Sequence, residues 1–159
     1  MKSNHSSKES YYRKQLSSAA APGTDARRLE ILVGTRCNNH CNFCARSTMR
    51  SRCPQRPFKE LREELKLARK AGVTYIVITG GEPSLHPDIL KLVREARVLG
   101  FAHILLQTNG RRLAYETFCR ELQGAGITEV SPSLHGSRPE MHDALTRALT
   151  LALAVALGD

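Results

Sequence analysis

The sequence predicts an α/β protein built on a parallel sheet, because short β-rich runs alternate with amphipathic helical runs and a polar motif follows each β-rich run. The β-rich runs are LEILV (29–33), VTYIVIT (73–79), AHILLQ (102–107) and ITEVSPS (127–133). A helix candidate follows each of them. Alternation of this kind implies right-handed crossovers, and therefore an open α/β sheet or a βα barrel.

The first helix is expected over about 58–71, where Leu61, Leu65 and Ala68 share one face, Glu60, Glu64 and Lys70 lie elsewhere, and Gly72 stops the run. The second, about 87–99, takes Pro87 into its first turn and repeats apolar residues at Ile89, Leu92, Val93 and Ala96 before Gly100. A third is expected over about 111–123. No internal repeat stands out beyond the βα rhythm.

At 159 residues the chain has room for one domain with a real core and not for two. It is 41% hydrophobic and 25% charged, the balance of a globular protein. No stretch approaches the roughly 18 apolar residues of a membrane span, and the polar N-terminus has no signal-peptide core, so no membrane association and a cytoplasmic address are expected. Five cysteines, three of them within positions 37–44, are spaced as metal ligands rather than as a disulfide framework, which fits a reducing compartment. The formal charge of +9 raises nucleic acid as a partner. The basic residues are dispersed without interleaved aromatics, which supports that partner only weakly.

Residues 1–26 are polar and Ser-rich and read as a disordered tail. Residues 27–147 form the core domain, and 148–159, opening with ALTLALAVAL, read as an apolar C-terminal helix of atypical sequence that needs a surface to pack on.

The polar motifs carry the functional argument. TRCNNHCNFC follows the first β-rich run, GGEP the second, TNG the third and SLHG the fourth. The C-terminal ends of parallel strands share one edge, so all four motifs converge on one site. Cys37, Cys41 and Cys44 stand as CxxxCxxC. Thiolates are soft ligands suited to iron-sulfur clusters, zinc or copper, and three of them leave one corner of a cubane open to an exogenous group. The alternative is a four-cysteine zinc module with Cys53 as fourth ligand and affinity for nucleic acid.

CxxxCxxC with Phe43 before its last cysteine, paired with GGEP after the next strand, resembles the radical S-adenosylmethionine (radical SAM) family over about residues 29–147, and SLHGSRPEMHDALTR is similar to a segment after the fourth strand in some members. The resemblance implies a partial (βα) barrel of the radical SAM type, with about four βα units present of the usual six. It also implies a [4Fe-4S] cluster on Cys37, Cys41 and Cys44, with S-adenosylmethionine chelating the open iron. Glu82 and the backbone carbonyls of Gly80, Gly81, Glu82 and Pro83 would accept hydrogen bonds from the SAM amino group. Phe43 would lie near the adenine, and Asn109 and Ser133 would contact the SAM carboxylate or ribose.

By the same resemblance the chain is a radical SAM enzyme: a single-electron donor such as a flavodoxin or ferredoxin drives reductive cleavage of SAM to a 5'-deoxyadenosyl radical, which abstracts hydrogen from an unknown substrate. Only four strands are countable, so a truncated, non-catalytic fragment that binds cluster and SAM is the second expectation. No catalytic residue is assigned. His135 faces the rim and could reach substrate; His40 and His86 read as local hydrogen-bonding residues, and Cys119 as a small core residue.

Overall fold

The computed structural model describes residues 28–49 and 54–148. The proposed tail (1–26), Cys53 and all but the first residue of the apolar run 148–159 lie outside the described residues.

Four strands, β1 (Arg28–Leu32), β2 (Tyr75–Thr79), β3 (His103–Thr108) and β4 (Glu129–Pro132), form one sheet in the order β1-β2-β3-β4. All neighbours are parallel, and the register pairs Leu32 with Thr79, Ile78 with Leu106, and Thr108 with Pro132. Parallel neighbours need long crossovers. Helices α1 (Phe58–Lys70), α2 (Ile89–Val98) and α3 (Glu116–Gly124) supply them, and α4 (Pro139–Thr146) follows β4. The expected α/β class and four-unit arc are the architecture found.

Side chains alternate across each strand. One face carries Ile31, Ile76, Ile78, Ile104 and Leu106, fully buried against the helices. Leu61, Leu65 and Ala68 of α1 and Ile89, Leu92, Val93 and Ala96 of α2 meet them, as the helical spacing predicts. Burying each large aliphatic side chain contributes about 1.5–3 kcal/mol, so this layer supplies most of the stabilising free energy. Glu60 in the first turn of α1 and Arg69 and Lys70 in its last complement the helix dipole.

Two elements differ from expectation. Pro87 lies in a turn before α2, because His86 Nδ1 accepts the Asp88 amide at 3.1 Å and holds Asp88 outside the helix. The third expected helix is broken into a 3-10 turn (Arg111–Ala114) and α3, with Tyr115 extended between them. Tertiary bonds override the local pattern there. Arg111 Nη1 donates to the Asn38 carbonyl at 2.7 Å and Arg112 Nη1 to the Ser84 carbonyl, contacts that a continuous helix would redirect.

At the N-terminal edge of the sheet, Tyr75 Oη donates to Glu129 Oε2 at 2.9 Å and His103 Nδ1 meets Glu129 Oε1 at 2.9 Å. Arg28 lies over the Tyr75 ring, 5.4 Å from its centroid. The hydrogen bonds from Tyr75 and then His103 hold the Glu129 carboxyl below the usual carboxylate range. Desolvation, followed by the Glu129 contact, raises the Tyr75 phenol.

Candidate functional site

The C-terminal ends of all four strands open onto one cavity of about 360 Å³, within the range of small-molecule clefts. Cys37, Cys41 and Cys44 line it, with Gly80 and Gly81 from the turn after β2, Asn109 from the turn after β3, and Ser133 and His135 from the loop after β4. The convergence expected of the four motifs is therefore a feature of the fold.

The cysteine loop leaves β1 at Val33 and returns at Arg56, and its neck is closed: the Arg56 amide donates to Val33 O at 2.9 Å and Arg56 Nη1 to Leu32 O at 3.1 Å. His86, 2% exposed, adds a third fastening by donating from Nε2 to Arg56 O at 2.8 Å. That is the local hydrogen-bonding role expected of it. His40 is exposed.

The glycine turn is fitted against this loop. The Gly81 amide donates to Gly34 O at 2.9 Å and the Glu82 amide to Arg36 O at 2.7 Å. A Cβ on Gly80 would stand 2.3 Å from Gly34 O, and one on Gly81 2.3 Å from Arg36 O and 2.5 Å from Thr35 O. Two adjacent glycines are needed because backbone touches backbone. Arg46, two residues past Cys44, donates from Nη1 to Gly80 O at 2.7 Å and completes the joint.

Glu82 is 2% exposed. Its Oε1 accepts from the Ser84 amide at 3.0 Å and from Thr108 Oγ1 at 2.7 Å, and its Oε2 from the Asn109 amide at 2.6 Å. A carboxylate takes about four donors, so one acceptor direction remains on Oε2. Glu82 and buried Pro83 stand behind the cavity wall, outside its lining. Phe43 is also outside the lining; its ring is 52% exposed and packs 4.6 Å from the His135 centroid.

Asn109 Nδ2 donates to Asn38 Oδ1 at 2.7 Å and reaches Cys37 Sγ at 4.0 Å, while the Asn39 amide donates to the same sulfur at 3.4 Å. N–H donors at a thiolate are among the contacts that set the properties of an iron-sulfur site, and three cysteines lining one cavity are a donor set whose chemistry fits a cubane. Among the described residues, no three His, Cys, Asp or Glu side chains gather round a single ion position. Cubane ligands sit on separate irons and do not need to. The fourth ligand of the zinc alternative, Cys53, lies outside the described residues.

Sequence reasoning did not single out Thr35, Asn39, Arg46, Thr79 or Gln107, which also line the cavity. Thr79 and Gln107 were discoverable, since strand alternation points both away from the helices; Thr79 Oγ1 donates to Gln107 Oε1 at 2.9 Å. Cys119 stands apart, its thiol donating to Leu113 O at 3.1 Å.

The sequence profile of the Radical SAM superfamily matches residues 31–155. A protein of Methanothermobacter thermautotrophicus described as probable GTP 3',8-cyclase is 30% identical over 125 residues, covering 79% of this chain and 40% of that protein. The GTP 3',8-cyclase of Aquifex aeolicus is 34% identical over 122 residues, covering 74% of this chain and 38% of the cyclase. The chain thus spans about two fifths of the length of these relatives. The crystal structure of Streptococcus suis SuiB bound to S-adenosylmethionine superposes with a TM-score of 0.63 at 23% identity, over 77% of this chain and 27% of SuiB. That likeness shows the shared fold. Among the described residues no helix is long and apolar enough to cross a membrane.

Proposed function

The chain belongs to the Radical SAM superfamily, and from that membership we propose that Cys37, Cys41 and Cys44 hold a [4Fe-4S] cluster beside a site for S-adenosylmethionine. The observation that carries this reading is the single cavity lined at once by the three cysteines, the two glycines, Asn109 and Ser133. When bound, cluster and SAM supply one-electron reductive cleavage and a 5'-deoxyadenosyl radical able to abstract hydrogen from a substrate.

The chain's own residues orient and enclose. Gly80 and Gly81 present backbone carbonyls to the amino group of SAM, while Glu82, buried behind the cavity wall, holds the turn that carries them. Asn109 and Ser133 offer polar contacts to its carboxylate or ribose, and His135 stands at the rim with Phe43 packed against it from outside the lining. An external single-electron donor completes the scheme. The relatives make cyclisation of GTP the first reaction to assay.

Anaerobic reconstitution tests the assignment. About four irons per chain are expected, as for one cubane. Cys41→Ala should abolish binding, whereas Cys119→Ser should leave the iron content unchanged. A Cys41→Ala chain with undiminished iron would remove the cluster from these three sulfurs. Electron paramagnetic resonance of the reduced protein should shift on adding SAM, and a fixed spectrum would remove the SAM site.

A further inference from the structure

A helix of eight residues leaves its last four carbonyls without intrahelical partners. In α4 two of them are satisfied by the cysteine loop: the His40 amide donates to Thr146 O at 3.0 Å and the Asn42 amide to Leu145 O at 3.1 Å. These amides bracket Cys41. The end of α4 and the centre of the cysteine loop therefore cap each other, although neither element is complete alone.

His142 links α4 to the loop after β4. His142 is 3% exposed, and its Nδ1 accepts the His135 amide at 3.2 Å. Its backbone carbonyl accepts Thr146 Oγ1 at 2.9 Å, so the same residue reaches the loop after β4 at one end and the capping turn at the other. Its ring lies 5.8 Å from the His135 ring, nearly parallel to it, and the far face of that array is Phe43, inside the cysteine loop. Gly136 admits the close approach: a Cβ there would stand 2.8 Å from the His142 nitrogen and 2.8 Å from Met141 Cβ.

We propose that His142 is a positioning residue for the cysteine loop, fastening α4 through the His135 amide so that the α4 carbonyls hold the backbone on either side of Cys41. The consequence for cluster retention rests on the cluster reading above; the fastening itself does not. His142 is not itself in the cavity lining; it acts through the His135 amide and α4. It makes the SLHG segment and the cysteine loop one unit, so the loop is preformed before any metal arrives.

The test is amide hydrogen exchange on the metal-free full chain. In His142→Phe, which keeps a ring and removes the acceptor, exchange at His40 and Asn42 should quicken about tenfold, the equivalent of one net hydrogen bond. The amides of Ile78 and Leu106 should be unaffected. In His142→Asn, whose Oδ1 can replace Nδ1, His40 and Asn42 should regain most of their protection. In reconstituted protein, His142→Phe should lose iron to a chelator several-fold faster and His142→Asn at nearly the parent rate.

Unchanged exchange at His40 and Asn42 in His142→Phe overturns the proposal, as does an equal loss of protection in both variants. Should His142→Phe not fold, Gly136→Ala decides, since its Cβ would stand 2.8 Å from the His142 nitrogen and push α4 off the loop after β4. Exchange at His40 and Asn42 should quicken, and no change there overturns the proposal. A parent chain that shows this exchange pattern yet takes up no iron keeps the fastening and overturns the cluster instead.

Discussion

The Arg46 guanidinium donates to the Gly80 carbonyl at 2.7 Å, joining the turn beyond Cys44 to the glycine turn after β2. A guanidinium bonded to a carbonyl is worth more than a neutral pair. Arg46→Met should therefore destabilise the metal-free chain by about 1–2 kcal/mol, measured by urea unfolding. Arg46→Lys should recover only part of this, because an ammonium lacks the planar fork. An unfolding curve of Arg46→Met that overlays the parent would show the joint to be energetically idle.

Glu82 gathers the Ser84 amide, the Thr108 hydroxyl and the Asn109 amide onto one buried carboxylate. In Glu82→Gln the new amide group must turn N–H atoms towards at least one of these donors. A loss of about 2–3 kcal/mol is expected, since a buried donor is left unsatisfied. The near-isosteric substitution separates hydrogen bonding from packing, and thermal unfolding of both proteins checks the difference.

Gly81→Ala should be among the most damaging small substitutions in the chain. The added methyl would meet the Arg36 and Thr35 carbonyls, which are backbone and cannot rotate aside. Overpacking of this kind costs about 3 kcal/mol. The expected result is a lowered melting temperature with weakened iron binding, since the glycine turn and the cysteine loop separate together. An alanine chain that melts with the parent and fills with iron normally would contradict the close fit.

Glu129 gives stability a pH dependence. Its carboxyl titrates lower in the folded chain than in the unfolded one, so its contribution is present above the usual carboxylate range and is lost as pH falls through the depressed value. Tyr75 titrates higher when folded, so its contribution holds below the usual phenol range and is lost as pH rises through the raised value. Denaturant midpoints should fall at both extremes, and Glu129→Gln should flatten the acid limb. An acid limb identical in the variant would assign the loss to other carboxylates.

Local order was the legible part of the sequence. The Leu61, Leu65 and Ala68 spacing needs only the helical repeat to be read, and the β-rich run at 73–79 contains the strand found there. Parallel topology then brought Cys37, Gly80, Asn109 and Ser133 to one edge without knowledge of any contact. What escaped depends on partners distant along the chain. Nothing near Arg111 reveals that it will bond Asn38, and that bond is why the expected third helix breaks. Nothing near His142 reveals the cysteine loop, because backbone carbonyls of α4, which carry no sequence signature, make the connection.

The pinched neck at Val33 and Arg56 returns the chain to the end of β1 before α1 begins. The crossover to α1 therefore takes its starting point from the strand end and not from the loop, so the first helix meets the sheet at a position the cysteine segment does not set.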